Sequence, residues 1–279
     1  MSRQALLCRD AFKRWGCASP DSEFGLRQAF VKDLAARIGR PCSVAVETPF
    51  DPAADLLRSR LLGPAMLPPD APWPCNLLTG KPLVPLLQVN LAEPPFLPAP
   101  LRGHAWLAVF LDMDKGMRCD VFDEDWTICL FDDLSLLAPR PHPPETAPQD
   151  ETESWHADRH TPHTLQWIAH HEVMDWASHR YPHFDTAWFQ ESGAAQYFQD
   201  LNAFNHCLKA FFNHDNGTKL GGFPTCVQGE HDAGYPSPDD PDSFVLQLRA
   251  LWGCFDLCDN SCTHIGLDRG EWLIQSWTS

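Results

Sequence analysis

One stretch of this chain is written twice. Gly63 precedes Gln88 by 25 residues, and Gly222 precedes Gln247 by the same 25. The glutamines sit inside the apolar runs Leu86-Leu87-Gln88-Val89 and Val245-Leu246-Gln247-Leu248. A duplicated unit constrains architecture more than any single motif, because two copies of one local structure must be built and packed together. Two copies are too few for a solenoid, so the expectation is one compact body of two related β-rich halves. Equivalent halves would put Gln88 and Gln247 at matching positions on matching strands. A buried amide needs partners, so each should bridge backbone groups across the two halves. A symmetric pair of amides at a ligand cleft between the halves is the functional alternative.

Punctuation and periodicity assign the rest. Residues 4–15 read as a short amphipathic helix. Ser19-Pro20 offers an N-cap for a second helix, whose Leu26, Phe30, Leu34 and Ile38 share one face, and Gly39 and Pro41 stop it. A short helix is expected over 52–60, and strands over 83–91, 105–111 and 120–131. The proline-rich acidic stretch 139–150 reads as a linker. Beyond it Trp167, Ile168, His171, Met174 and Asp175, then Phe198, Leu201, Phe204, Leu208, Phe211 and Phe212, fall on helical spacing over 163–213. Strands return at 243–249 and 263–267. The expected fold class is therefore α+β, a single domain over 1–279 with helices packed on the sheet. Its parts are a helical N-terminal extension (1–58), a first β-rich half (59–138), a linker and helical segment (139–214) and a second β-rich half (215–279).

The run Ser59-Arg60-Leu61-Leu62-Gly63-Pro64-Ala65-Met66-Leu67-Pro68-Pro69-Asp70-Ala71-Pro72-Trp73-Pro74 resembles the opening signature of the bacterial YwqG-like family. Gly80-Lys81-Pro82-Leu83 through Gln88-Val89-Asn90-Leu91-Ala92-Glu93 resembles its next strand. Lys219-Leu220-Gly221-Gly222-Phe223-Pro224, Gln228, Leu246-Gln247-Leu248 and Trp252-Gly253 follow the pattern of its second half. The chain departs from that pattern twice: the first glycine pair is Leu62-Gly63 with its proline one place early, and Cys254 stands where an Asp usually follows Trp-Gly. The resemblance implies a fold; the family's biochemical activity is unknown. It also implies a loose link to toxin systems, near which some relatives sit.

Charge narrows the partner classes. The net charge is −16, and it is unevenly spread: residues 1–60 carry +3 and the remainder −19. Such a body repels nucleic acid and anionic membrane and attracts basic proteins. The 11 cysteines are an odd number in a chain with no export signal at its start and no apolar stretch of 18 residues, so reduced thiols and a soluble, cytoplasmic protein are expected.

Catalytic motifs fail on inspection. Ten of the 13 histidines lie between residues 139 and 214, but His171-Glu172 lacks the second histidine of a zinc-protease helix. His156, His160 and His163 follow a polar linker, and Cys254, Cys258, Cys262 and His264 have only loosely zinc-like spacing. No nucleophile elbow or phosphate loop is present. No metal, cofactor or catalytic residue is expected. What stands out is acid beside apolar surface: Asp112, Asp114, Asp120, Asp123, Glu124, Asp125, Trp126, Asp132 and Asp133 form the candidate partner-binding set. The expected function is a non-enzymatic binding module, an immunity-type protein that neutralises a basic toxin such as a nuclease. The competing classes are a metal-binding protein or hydrolase using the His-rich segment, and a small-ligand module between the halves.

Overall fold

The structure, a computed structural model, describes residues 39–112, 125–141, 161–172, 217–224, 243–249, 262–268 and 270–277. The strands are β1 (Arg40–Pro49), β2 (Arg60–Leu61), β3 (Ala65–Leu67), β4 (Val84–Asn90), β5 (Trp106–Leu111), β6 (Trp126–Phe131), β7 (Ala138–Arg140), β8 (His163–Glu172), β9 (Lys219–Gly221), β10 (Phe244–Arg249), β11 (Cys262–Asp268) and β12 (Glu271–Trp277). Ten form one sheet in the order β12-β11-β10-β9-β1-β8-β2-β4-β5-β6, and β3 and β7 form a small second sheet.

This corrects the α+β expectation. Among the described residues there is no α-helix, only single 3₁₀ turns at Ala99–Leu101 and Leu134–Leu136. The segment expected to open a long helix at His163 is the ten-residue strand β8. Trp167, Ile168 and His171 satisfy a helical spacing by coincidence. The hydrogen-bonding neighbours that β1 and β2 offer on either side decide the conformation, as tertiary pairing generally overrides local pattern. Residues 52–60 form turns and the start of β2, pinned by Asp51 and Asp55. The helices expected within 1–38, and the part of the long one beyond Glu172, lie outside the described residues.

The chain groups into two compact units. The first comprises Met1–Pro41, His170–Asp215 and Gly222–Gly234; the second comprises Cys42–Ala169, Asn216–Gly221 and Tyr235–Ser279. In the first, the buried Glu172 carboxylate accepts the Phe223 N–H at 2.9 Å, and the Arg40 guanidinium lies 4.4 Å from the Phe223 ring centroid.

The repeat is visible in the register. Gln88 on β4 stands opposite Arg60 on β2, and Gln247 on β10 stands opposite Lys219 on β9. The pairing of β4 with β5 slips between Pro85 and Leu87, and that of β10 with β11 slips between Phe244 and Leu246, one bulge at the same distance before each glutamine. Leu165 N–H donates to Ser59 O at 2.7 Å, and Ala45 N–H donates to Thr218 O at 2.9 Å, each one residue before the buried cation. So β2, β4, β5 and β6 correspond to β9, β10, β11 and β12. The strands that precede each set are exchanged: β1 pairs with β9, and β8 lies beside β2. Two copies with a swapped first strand make one continuous sheet, in which neither half completes its pairing alone.

Each copy turns sharply after its short strand. Leu62 and Gly63 have φ of 57° and 84°, and Gly221 and Gly222 have 70° and 79°. A leucine in the left-handed region costs about 1–2 kcal/mol, yet Leu62 is buried, which contributes about 1.5–3 kcal/mol. Burial wins, and the second copy's glycine is not needed here. Leu62→Gly should therefore destabilise the fold, but less than Leu61→Gly, which loses burial with no strain to relieve; urea midpoints test the ranking. Gly63→Ala should cost about 1–2 kcal/mol through backbone strain alone, because its added Cβ would meet Pro162 Cβ at 3.5 Å, an ordinary contact.

Two apolar clusters cover opposite faces of the first half. Leu86, Leu87, Val89, Leu107, Val109 and Trp126 belong to the main core. Met66, Leu67, Leu83, Trp106, Ala108 and Phe110 form a second cluster roofed by β3, β7 and Trp73. That double coverage explains why β5 is buried at every position and reads as a continuous apolar run.

Arg60, fully buried, lies within this packing. Its guanidinium donates to Leu56 O, Arg58 O, Pro64 O and Gln88 Oε1, and lies 5.5 Å from the Trp106 ring and 5.7 Å from the Phe50 ring. Burial pulls it down to about 10, so it stays charged at neutral pH. Gln88 Oε1 also accepts from Met66 N–H at 2.8 Å, and its Nε2 donates to Pro64 O at 3.0 Å. Gln247 Nε2 donates to Gly217 O at 3.1 Å. Gln88 thus bridges backbone groups of its own half, and Gln247 bonds a backbone carbonyl of its own half, where bridging across the halves was expected.

Candidate partner-binding surface at the end of the β5–β6 hairpin

The hairpin of β5 and β6 positions the acidic residues. Its register runs from Trp106↔Phe131 to Leu111↔Trp126 without a slip. Asp112 and Asp125 therefore meet at one end, where Asp112 N–H donates to Asp125 O at 2.7 Å. Asp132 and Asp133 leave the opposite end. At about 3.4 Å per residue, β6 separates the two acidic groups by roughly 24 Å. They form two sites, where the sequence set them in one list.

The four described acids also differ in setting. Asp125 is buried, and its Oδ1 accepts from Asn76 Nδ2 at 2.7 Å. Asp112 is half-buried, and its Oδ2 accepts from the same nitrogen at 3.2 Å. Asp132 is exposed and lies 2.6 Å from His104 Nδ1. Asp133 accepts from Ser135 N–H at 2.8 Å; the Ser135 side chain first, and this backbone bond second, hold its carboxyl below the usual value. Trp126 packs into the main core at 8% exposure and presents no open ring. Asp114, Asp120, Asp123 and Glu124 lie outside the described residues.

Asn76 was absent from the sequence set, and it organises this end of the sheet. Its side chain is buried, donates to both carboxylates, and accepts through Oδ1 from Leu78 N–H and Thr79 N–H, each at 2.9 Å. Its backbone N–H donates to Lys81 O, its carbonyl accepts from Gly80 N–H, and Gly80 takes φ of 69°. Flanking contacts fix the base: Cys75 bridges Pro82, and Trp73 Nε1 donates to Leu83 O at 2.9 Å.

The result is a turn braced from within by Asn76, with two leucines pushed out. Leu77 is 82% exposed and Leu78 is 77% exposed. A lone exposed leucine is commonplace, but adjacent ones on a braced turn hold apolar area in a fixed place. The signal in the sequence was Asn76-Leu77-Leu78-Thr79-Gly80, where asparagine and glycine frame a turn and leucine breaks the polar habit of turn residues. Asn76→Ala should loosen this loop: amide exchange at Leu78, Thr79 and Gly80 should quicken by about 10–100-fold, matching about 1.4–2.7 kcal/mol of lost hydrogen bonding.

The described residues offer little for chemistry. None of them group as three or more His, Cys, Asp or Glu side chains placed to hold a metal ion. Burial pushes the Cys129 thiol up to about 11, the reverse of an activated nucleophile. His264 is buried edge-on to Phe244 at 5.7 Å. His156, His160, Cys254 and Cys258 lie outside the described residues, as does the side chain of Cys262. No described helix is long and apolar enough to cross a membrane.

A comparison with curated proteins gives no match. A family model described as a domain of unknown function, DUF1963, matches residues 59–264, a span that takes in both copies of the repeat and the Asn76 turn. The chain belongs to this family, the YwqG-like family of unknown function.

Proposed function

We propose that this chain is a non-catalytic binding module for a basic protein, with the 76–80 turn as its anchor. The observation that carries the reading is the pair Leu77 and Leu78, more than three quarters exposed on a turn braced from beneath by buried Asn76. Interfaces draw affinity from a few rigid apolar anchors and draw association rate from charge. A body at −16 supplies the second and selects cationic partners. The partner class that suits such a surface best is a basic nucleic-acid-cleaving toxin, since an acidic protein can occupy a groove made for phosphates. In that role the chain is an immunity protein.

Co-expression with a toxin encoded beside it tests this. Cells carrying the wild-type protein should survive, and those carrying Leu77→Ser with Leu78→Ser at equal abundance should not. Equal killing with and without the wild-type protein would remove the immunity role. Binding kinetics test the charge: association should slow as the Debye length falls from about 10 Å at 0.1 M salt to about 3 Å at 1 M, with dissociation changing less.

A further inference from the structure

β6 ends the sheet order, and among the described strands it has one neighbour, β5. Opposed residues in an antiparallel pair alternate between exchanging hydrogen bonds with each other and turning them outward. The Asp112 N–H to Asp125 O bond fixes the phase, so Thr127, Cys129 and Phe131 bond toward β5. The backbone groups of Trp126, Ile128 and Leu130 then face the open side.

Exposed edges are usually blunted by lysine, proline or a bulge. β6 reads Trp126-Thr127-Ile128-Cys129-Leu130-Phe131, with no charge, no proline and no slip in register. Its counterpart at the other end of the sheet is more guarded. Tracing register outward from each glutamine, Gln275 and Ser276 of β12 stand where β6 has Cys129 and Leu130. Both faces of β6 are apolar: Ile128 and Leu130 pack on the main core, Cys129 and Phe131 on the second cluster.

We propose that β6 is a docking edge that takes up an extended strand of the basic partner, adding it to the sheet beside Trp126, Ile128 and Leu130. The occupant is specified by what flanks the edge. Exposed Asp132 and Asp133 stand just past the Phe131 end of β6, so the incoming strand carries Lys or Arg there beside a run of about five apolar or β-branched residues, and a probe with Lys at both ends fits either strand direction. The edge also begins beside the leucine anchor, since Asn76 holds Asp125, the residue before Trp126. This inference rests on the reading of the chain as a binder of a basic protein and adds the mode of capture.

The probe is a synthetic peptide, Lys-Lys-Val-Thr-Val-Thr-Val-Lys-Lys, titrated into the full chain at low salt while backbone amide exchange is followed. Binding should protect the amides of Ile128 and Leu130. A version with alternate amides N-methylated, and a version flanked by Glu in place of Lys, should each bind at least about tenfold more weakly, the first through lost backbone hydrogen bonds and the second through charge. Ile128→Pro removes one outward N–H and no bond to β5; it should abolish peptide binding and leave the fold intact. The wild-type protein with the methylated peptide serves even if that variant does not fold. Equal binding of the methylated peptide, or protection appearing at β12 and not at β6, overturns the proposal. Absence of peptide binding alongside Leu77-dependent capture of a basic protein would sink the edge alone and leave the binding function standing.

Discussion

Arg60→Ala is expected to lower the unfolding free energy by about 3–5 kcal/mol, a fifth or more of the roughly 5–15 kcal/mol stability of an ordinary domain. The side chain fills the space against Trp106 and Phe50, so its loss leaves a cavity. It also strips the side-chain donor from Leu56 O and Arg58 O, while Pro64 O and Gln88 Oε1 keep Gln88 Nε2 and Met66 N–H; a buried acceptor left bare costs about 1–3 kcal/mol. Gln88→Ala acts from the other side by leaving Met66 N–H unpaired and a buried cation short of a partner, again about 3–5 kcal/mol. Because the two side chains share Pro64 O and each other, the double variant should fall short of the sum by about 1–3 kcal/mol. Arg60→Met keeps the aliphatic volume and removes the charge, so it should be the mildest of the series. Urea midpoints at constant slope decide this. A loss below about 1 kcal/mol for Arg60→Ala would mean that the buried cation is incidental to the fold.

The second large effect is on binding. Leu77→Ser with Leu78→Ser should leave the urea midpoint within about 0.5 kcal/mol of wild type, since surface substitutions rarely do more, while weakening partner binding by about 100-fold or more. Two anchors worth about 2 kcal/mol each account for that factor. The contrast between unchanged stability and lost affinity separates an interface from a structural turn. Asn76→Ala provides the intermediate case, with the leucines present but no longer held.

The repeat was readable because it is written in residues with narrow backbone and burial demands: Gly63 and Gly222 at positive φ, and Gln88 and Gln247 buried at one bulge position. The strands holding those glutamines, and β5 and β11 beside them, could be placed from apolar runs alone. The exchange of β1 and β8 could not, because nothing local in Cys42-Ser43-Val44-Ala45 names β9 as its neighbour; that choice lies in long-range pairing. β8 is ambiguous in the sequence because Trp167, Ile168 and His171 suit a helix face as well as a strand. β12 is signalled by Gly270, which takes φ of 87° in the loop across which Asp268 pairs with Glu271, as a hairpin requires. At the candidate surface, composition picked out the acids but could not divide them, since strand length and register set Asp112 and Asp125 apart from Asp132 and Asp133. Leu77 and Leu78 carry no comparable mark in the sequence, because exposure is a property of the folded turn.

The most direct measurement is capture from native cells by the wild-type protein and by the Leu77→Ser, Leu78→Ser variant side by side, with bound proteins quantified. A binding module of the kind proposed retains one strongly basic protein with the wild-type bait, at least about tenfold above the variant, and releases it as salt rises. Identical sets of bound proteins from the two baits, or a retained partner that is not basic, would contradict it.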